Sequence, residues 1–259
     1  MERETAAGDA SSVLRRLAAQ AAGMSGADVE RLVRIARLEA RRDGRTITYE
    51  DLERLLLADK SNGSPETLKR IAIHEAGHAV ARLVLQQGTI DVISINTHDG
   101  RAFNTGRSKP LADTMETDLE AELACILAGR AAEEVIIGSI SAGSGGTADS
   151  DLAKATTLAF TLECSFGFGE HQPLLFFDKD VEASILGLRP MLASAVHERL
   201  VDAYARARAI ITTAKANVEH LATILIEETT LEGSSLQQAI DHLDLSKAGR
   251  RCPSPASSA

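Results

Sequence analysis

Tryptophan is absent from this 259-residue sequence, and aromatic residues make up only 3% of it. Hydrophobic residues still reach 44%, so the core has to be built from Ala, Leu, Ile and Val, which suits packed helices rather than a disordered chain. The net charge of −9 argues against a surface that binds nucleic acid. No apolar run approaches the roughly 18 residues that a transmembrane helix needs, so we expect no membrane segment in this chain.

Cysteine is scarce: the residues are Cys125, Cys164 and Cys252, and no two of them have C-x-x-C spacing. An odd count without paired spacing argues against a disulfide framework and a cysteine zinc site, and it is typical of a reducing compartment. Because no signal peptide opens the sequence, we expect a cytoplasmic location. Cys125 and Cys164 lie within apolar helical patterns and are interpreted as core thiols.

A nucleotide-binding loop is also missing. The glycine- and serine-rich stretch over residues 138–146 is not followed by G-K-[ST], and the pattern G-x-x-x-x-G-K-[ST] occurs nowhere in the sequence. The sequence therefore predicts no nucleotide site in this chain.

Hydrophobic periodicity predicts a mainly α-helical fold with one small β-hairpin. The predicted hairpin covers residues 89–106, which are rich in β-branched side chains and carry a turn signal at His98-Asp99-Gly100. A breaker cluster at residues 61–65 predicts a domain boundary, and the polar ends are predicted to be disordered over residues 1–10 and 246–259. The predicted helical segments are residues 12–57, 65–87, 118–137, 151–163, 193–228 and 236–243.

The motif His74-Glu75-Ala76-Gly77-His78 carries the strongest chemical signal in the sequence. On a helix, residues four apart lie on one face, so both imidazoles could hold one zinc ion and Glu75 could lie beside the water activated there. Only about 0.015 matches to H-E-x-x-H are expected by chance in a chain of this length and composition. We therefore interpret the motif as a metal site rather than as two unrelated histidines.

A catalytic zinc site needs a third protein ligand. Asp149 and Asp151 are candidates, because they follow a flexible loop and lie where a helix begins. Spacing cannot choose between them, and both could simply cap the helix. Glu133 and Glu134 could hydrogen-bond a ligand histidine or an arginine, although solvated helix charges are the more common arrangement.

Three motifs together resemble the peptidase domain of FtsH-type ATP-dependent zinc proteases. They are His74-Glu75-Ala76-Gly77-His78, the LAGRAAEE stretch at residues 127–134 and the GTADSDLAKAT stretch at residues 146–156. Their order and approximate spacing match as well, and residues 23–56 resemble the last helices of that family's AAA+ lid. The resemblance covers roughly residues 12–243.

The resemblance implies a helical zinc-peptidase domain over residues 65–245, preceded by a partial AAA+ lid over residues 11–60. It implies that His74, His78 and Asp151 bind Zn²⁺ and that Glu75 is the general base. It also implies that residues 101–106 form an edge strand that holds unfolded proteins or peptides in extended form. By the same resemblance we expect a homo-oligomer, a hexamer in this family.

The expected activity is that of a zinc metalloendopeptidase acting on unfolded or loosely folded proteins, as the proteolytic part of an ATP-dependent protease. The family's ATPase core and membrane anchor are missing from this sequence. We therefore expect a piece of a longer protease or a short form that needs an ATPase partner in trans. The alternative is a catalytically silent, ring-forming scaffold or regulatory subunit of such an assembly.

Overall fold

The computed structural model describes residues 26–58, 64–95, 103–105, 111–170, 173–178 and 189–245, with isolated positions 14, 17, 18, 21 and 24. The described part of the chain contains eight α-helices, three short strands, two 3-10 turns (Leu111–Asp113 and Ala142–Ser144) and one π-helical segment, Glu133–Ile137, which directly follows the helix Glu116–Ala132. The helices are α1 (Gly26–Arg42), α2 (Tyr49–Ala58), α3 (Pro65–Leu85), α4 (Glu116–Ala132), α5 (Asp151–Cys164), α6 (Pro190–Thr213), α7 (Lys215–Glu228) and α8 (Gly233–Asp241). The strands are β1 (Val92–Ser94), β2 (Phe103–Thr105) and β3 (Thr230–Glu232).

Helices α1 and α2 pack against each other and bury Leu32 and Leu56. Asp51 fixes the corner between the helices, because its carboxylate accepts hydrogen bonds from Arg45 Nη1 at 2.6 Å and Arg45 Nη2 at 2.8 Å. The backbone N–H of Thr48 donates a third hydrogen bond to this carboxylate at 3.0 Å. These bonds, with the Arg45 contact foremost, hold the pKa of Asp51 well below its usual range.

Helix α3 has well-defined ends. Ser64 caps its N-terminus by accepting a hydrogen bond from the backbone N–H of Thr67 at 3.2 Å, and Pro65 occupies the first helical position. At the other end Gln86 adopts a left-handed conformation with φ 55°, which stops the helix two residues before its predicted end.

Helices α3 to α7 pack together, with α3 and α4 at the centre. Helix α3 packs against α4 and α7, and α4 packs in turn against α5 and α6. A first core cluster joins α3, α4, α7 and β1, with Ile73, Val80, Leu221 and Ile93 fully buried. A second cluster lies between α4, α5 and α6 and contains Phe160. The two clusters bury both long faces of α4, which explains why that helix carries so few exposed apolar residues.

The strands form one antiparallel sheet in the order β2-β1-β3. Ile93 of β1 pairs with Asn104 of β2 on one side and with Leu231 of β3 on the other. The hydroxyl groups of Ser94 and Thr230 are 2.8 Å apart and add a side-chain hydrogen bond to the second pairing. Strand β2 is therefore an edge strand, and β1 is the central strand.

The prediction of a mainly α fold with a small hairpin is confirmed, with β1 and β2 as the hairpin. The sequence analysis missed β3, whose three residues are too few to show an alternating pattern. Several predicted features lie outside the described residues: the ends 1–10 and 246–259, the break at 61–63, the turn at His98-Asp99-Gly100 and parts of the 101–106 strand.

The prediction of one continuous helical segment over residues 193–228 is wrong, because the structure divides it at Ala214. Just before the break, the hydroxyl groups of Thr212 and Thr213 donate to the carbonyls of Arg208 at 2.7 Å and Ala209 at 3.0 Å. Such bonds to carbonyls four residues back weaken and bend helices. The change of direction lets α7 pack against α3.

Close approach of α3 to α4 depends on the missing side chain at Gly77. A Cβ atom there would lie 2.6 Å from Cβ of Ala132 and 2.8 Å from the carbonyl oxygen of Ala128. Real Cβ atoms do not come this close to other atoms, so the two helices would have to move apart to admit one.

None of the helices in the described part of the chain is both long and apolar enough to cross a lipid bilayer.

We predict that Gly77→Ala lowers the free energy of unfolding by about 1–3 kcal/mol, the usual cost of overpacking a core. Urea denaturation followed by circular dichroism, with chelator present so that metal does not contribute, measures the change. Gly26→Ala on α1 is the matched control, because nothing lies within 4 Å of its added Cβ. If Gly77→Ala were as stable as the parent protein, the close packing of α3 on α4 would not limit stability.

Candidate metal centre

The two histidines of the motif lie on one face of α3 and turn their rings toward each other. The ring centroids of His74 and His78 are 4.7 Å apart and the rings are nearly perpendicular, at 76°. The Nε2 atoms of the two rings are 3.0 Å apart. The helix therefore places two imidazole nitrogens at one point, as the four-residue spacing predicts.

Asp151 reaches the same point from the first residue of α5. Its Oδ2 atom lies 2.9 Å from Nε2 of His74 and 3.4 Å from Nε2 of His78. Ser150 fixes this helix start: its hydroxyl accepts from the backbone N–H of Ala153 at 3.3 Å and donates to the carbonyl of Thr147 at 2.7 Å. The capped helix end thus aims the Asp151 carboxylate at the two imidazoles.

Both imidazoles are oriented through their other ring nitrogen. Nδ1 of His78 lies 2.8 Å from the carbonyl oxygen of Cys125, and Nδ1 of His74 lies 2.9 Å from Oε1 of Glu133. A carbonyl and a carboxylate only accept hydrogen bonds, so both Nδ1 atoms must carry a hydrogen and donate it. In the neutral tautomer that this leaves, each Nε2 presents a lone pair to the common point.

Glu133 is a buried carboxylate with several donors around it. Arg70 Nη1 donates to Oε2 at 2.8 Å, the backbone N–H of Ser141 donates to Oε2 at 2.8 Å, and the Ser141 hydroxyl donates to Oε1 at 3.1 Å. Burial alone would raise the pKa of Glu133, but the hydrogen bonds from His74, Arg70 and Ser141 lower it to about 2. Glu133 is therefore ionised at neutral pH and holds the His74 ring in place.

The site also binds a proton strongly. Burial lowers the pKa of His74, but its hydrogen bonds to Asp151 and Glu133 outweigh burial and raise that pKa to about 10. The same contacts to His74 and His78 hold the pKa of Asp151 well below its usual range despite burial. A cation bound at Nε2 of His74 would displace the proton there, so metal binding at this site would release a proton.

Gly129 of α4 leaves the space in which the two Nε2 atoms meet. A Cβ at this position would lie 2.5 Å from Nε2 of His74 and 2.5 Å from Nε2 of His78. Glycine is unfavourable in a helix interior by about 1 kcal/mol relative to alanine. This cost is offset here because any side chain would fill the space between α4 and the histidines.

The chemistry and spacing of these atoms fit a zinc ion. Tetrahedral zinc with bonds of about 2.0–2.1 Å places its ligand atoms about 3.3 Å apart. The observed separations are 3.0 Å between the two nitrogens and 2.9 and 3.4 Å between the nitrogens and the aspartate oxygen. Two imidazoles and one carboxylate are also a ligand set that leaves a fourth position open for water.

Among the residues that the structure describes, His74, His78 and Asp151 are the one group of three or more His, Cys, Asp or Glu side chains that could hold a metal ion. The structure thus brings together the three residues that the resemblance pointed to. Asp149 is not part of this group, although it makes an interaction of its own.

Glu75 lies next to the site and is only 6% exposed. Burial raises the pKa of this carboxyl group, against the lowering influence of His78 and His74. A raised pKa makes a carboxylate a better proton acceptor at neutral pH. Glu75 therefore has the burial and the raised pKa expected of a candidate general base.

The two glutamates at the end of α4 have different surroundings. Glu133 accepts a hydrogen bond from His74, which is one of the interpretations that the sequence allowed for this residue. Glu134 points elsewhere: its Oε2 accepts from the hydroxyl of Tyr204 at 2.6 Å and lies 3.2 Å from Nε of Arg208. Burial, and then the bond to Glu134, raise the pKa of Tyr204 to about 12.

Sequence reasoning missed two contributors to the site, Gly129 and Arg70. Gly129 could have been identified from its position inside a long helical pattern, because glycine there usually has a packing role. The signal for Arg70 was its place four residues before His74, which puts both side chains on one helix face.

Comparison with known proteins matches residues 62–239 to peptidase family M41. The chain is 33% identical over 251 residues to the ATP-dependent zinc metalloprotease FtsH of Thermotoga maritima, covering 88% of this chain and 40% of that protein. It is 34% identical to FtsH 1 of Thermomicrobium roseum, covering 88% and 38% respectively, and 30% identical to FtsH of Syntrophobacter fumaroxidans, covering 87% and 38%. The chain thus spans about two fifths of the length of these curated relatives.

We predict that Asp151→Asn lowers zinc affinity by more than about 100-fold, beyond the usual cost of losing an outer partner of a ligand. Asp149→Asn removes the same charge two residues away and should change the affinity by less than about threefold. Competition with a chromophoric chelator measures both affinities, and circular dichroism checks that both variants fold. An equal loss in the two variants, or a larger loss in Asp149→Asn, would contradict the geometry of the site.

Proposed function

The chain belongs to peptidase family M41, and on that premise we propose that it is a zinc metalloendopeptidase that hydrolyses peptide bonds of unfolded or loosely folded proteins. The observation that carries this proposal is the convergence of His74, His78 and Asp151 within bonding distance of one point. The relatives are named as zinc metalloproteases, and this supports the choice of metal and reaction.

In this proposal His74, His78 and Asp151 hold the zinc ion and Glu75 is the general base. When bound, zinc would polarise the scissile carbonyl and lower the pKa of the attacking water to about 7. Glu75 takes the proton from that water as its oxygen bonds to the carbonyl carbon. Glu75 then gives the proton to the departing nitrogen, so that the peptide C–N bond breaks to a carboxylic acid and an amine.

Two other residues prepare the site. Glu133 holds the His74 ring and the carbonyl of Cys125 holds the His78 ring, so both Nε2 atoms face the metal position before a metal arrives. Preorganised ligands reduce the reorganisation that binding would otherwise require. Burial of Glu75 keeps its carboxylate basic and shields it from bulk water.

Strand β2 supports a mode of substrate binding. It lies at the edge of the sheet and contacts α3, the helix that carries the histidines. An extended peptide could add to this edge through main-chain hydrogen bonds, which read little of its sequence. Such binding suits an enzyme that degrades many unfolded proteins.

We further propose that the chain works as part of an ATP-driven, ring-shaped assembly. The relatives are named as ATP-dependent enzymes, and their similarity to this chain extends beyond the family match into residues before 62. This extension supports α1 and α2 as the end of an AAA+ lid, with ATP hydrolysis supplied elsewhere in a longer protein or by a partner. The comparisons give no support to the silent scaffold that the sequence also allowed.

We predict that the purified chain with zinc cleaves casein without ATP, and that Glu75→Gln lowers this activity by about 100- to 10,000-fold, the range for loss of a general base. The variant should keep stoichiometric zinc, because Glu75 is not among the three ligands. Release of fluorescent peptides from labelled casein measures the rate, and metal analysis measures the zinc.

Glu66→Gln is the matched control, because Glu66 is an exposed glutamate in the first turn of the same helix. Its activity should equal that of the parent protein. Cleavage by Glu75→Gln at the parent rate would remove Glu75 from the mechanism. A zinc-loaded parent protein that cleaves nothing, even with an ATPase partner supplied, would count against the peptidase assignment itself.

A further inference from the structure

Arg70 begins a chain of contacts that leads to the proposed metal position. It lies four residues before His74 on α3, so the two side chains share a face of the helix. Arg70 Nη1 donates to Oε2 of Glu133 at 2.8 Å, and Oε1 of the same carboxylate accepts from Nδ1 of His74 at 2.9 Å. The arginine therefore reaches the histidine through one carboxylate rather than directly.

The second branch from Arg70 leads into the loop after α4. Nη1 also donates to the carbonyl oxygen of Ser139 at 2.8 Å, and Nη2 contacts the Ser139 hydroxyl at 3.0 Å. Two residues on, Ser141 donates to Glu133 through its backbone N–H and its hydroxyl. One guanidinium and one carboxylate thus fix residues 139–141 against α3 and α4.

This loop joins α4 to α5, the helix that begins with Asp151. After the Ser139–Ser141 region the chain passes through a short 3-10 turn, Ala142–Ser144, and reaches the capped start of α5 at residue 151. Arg70 is therefore connected to His74 through Glu133, and to this loop through Ser139.

The ion pair between Arg70 and Glu133 is important because the Glu133 carboxylate is buried. The Glu133 side chain is 2% exposed, whereas that of Arg70 is 28% exposed. A buried carboxylate that loses a charged partner becomes strongly unfavourable and seeks another arrangement. Without Arg70, Oε2 of Glu133 would keep the backbone N–H of Ser141 as its donor among the contacts described above, and rotation of the carboxylate would release His74.

We propose that Arg70 is a positioning residue that sets the metal affinity of this site by holding Glu133 against His74. The proposal rests on the metal site proposed above. Arg70 itself contacts neither the metal position nor the substrate. Its effect is on the orientation of His74, which it reaches through Glu133.

The test is the zinc affinity of Arg70→Met, measured by competition with a chromophoric chelator. We expect a 10- to 100-fold loss, the range seen when a ligand's outer partner is removed. Lys69→Met is the matched control, because it removes one positive charge from the adjacent, exposed position of α3. Lys69→Met should bind zinc as the parent protein does.

A double-mutant cycle separates action through Glu133 from an independent effect. In a Glu133→Gln background, Arg70→Met should lower zinc affinity by less than about threefold further, because the two residues act on His74 as one unit. Equal losses in the two backgrounds would overturn the proposal. So would a parent-like zinc affinity in Arg70→Met.

A spectroscopic measurement distinguishes positioning from plain stabilisation. With Co²⁺ in place of zinc, Arg70→Met should change the visible absorption bands, which report ligand geometry. A residue that only stabilised the fold would lower the melting temperature and leave these bands unchanged, and that result would overturn the proposal. If Arg70→Met does not fold, Arg70→Gln is measured instead, and a parent-like affinity there would overturn it too.

His74→Ala in the same assay separates this proposal from the proposed function. If His74→Ala keeps full zinc affinity, the metal site is wrong and the role of Arg70 falls with it. If His74→Ala loses zinc and Arg70→Met does not, only the role of Arg70 is wrong. Casein cleavage is not part of this test, so a failure of proteolysis leaves its result intact.

Discussion

The close crossing of α3 and α4 is the constraint on which the rest of the site depends. Gly77 and Gly129 face the opposite helix, and a Cβ at either position would collide with it. Only at this separation can the Cys125 carbonyl reach His78 and the Glu133 carboxylate reach His74. Glycine at positions 77 and 129 therefore permits both the close packing of the two helices and the orientation of the two imidazoles.

The charges and lone pairs at this helix crossing determine which ions can bind there. Three lone-pair atoms meet within 3.4 Å of one another, and a buried carboxylate stands behind one of them. Acceptors that converge without a hydrogen or a cation between them repel each other. The raised pKa of His74 shows that the site attracts a proton strongly, and the same charge arrangement would attract a metal ion.

The helices and the motif could be predicted from the sequence because their signals are local. The four-residue spacing of His74 and His78 fixes a shared face whatever the rest of the chain does. Spacing in the sequence could not choose between Asp149 and Asp151, because the choice depends on the path of the loop before α5. Hydrophobic periodicity does not predict that path. The family resemblance indicated Asp151, and the structure places that residue beside the histidines. The break at Ala214 escaped prediction because both flanking segments are good helix formers, and the hydroxyl bonds of Thr212 and Thr213 and the packing of α7 on α3 leave no mark in the hydrophobic pattern.

The two histidines differ in how their orienting partners would tolerate sequence change. His78 is held by the main-chain carbonyl of Cys125, which every amino acid supplies, so the identity of the residue at position 125 is free to vary with core packing. His74 is held by a side chain, and Glu133 is in turn held by Arg70, so each of these identities matters. The orientation of His78 therefore depends less on neighbouring side chains than that of His74, which substitutions at positions 70 and 133 would change without altering His74, His78 or Asp151.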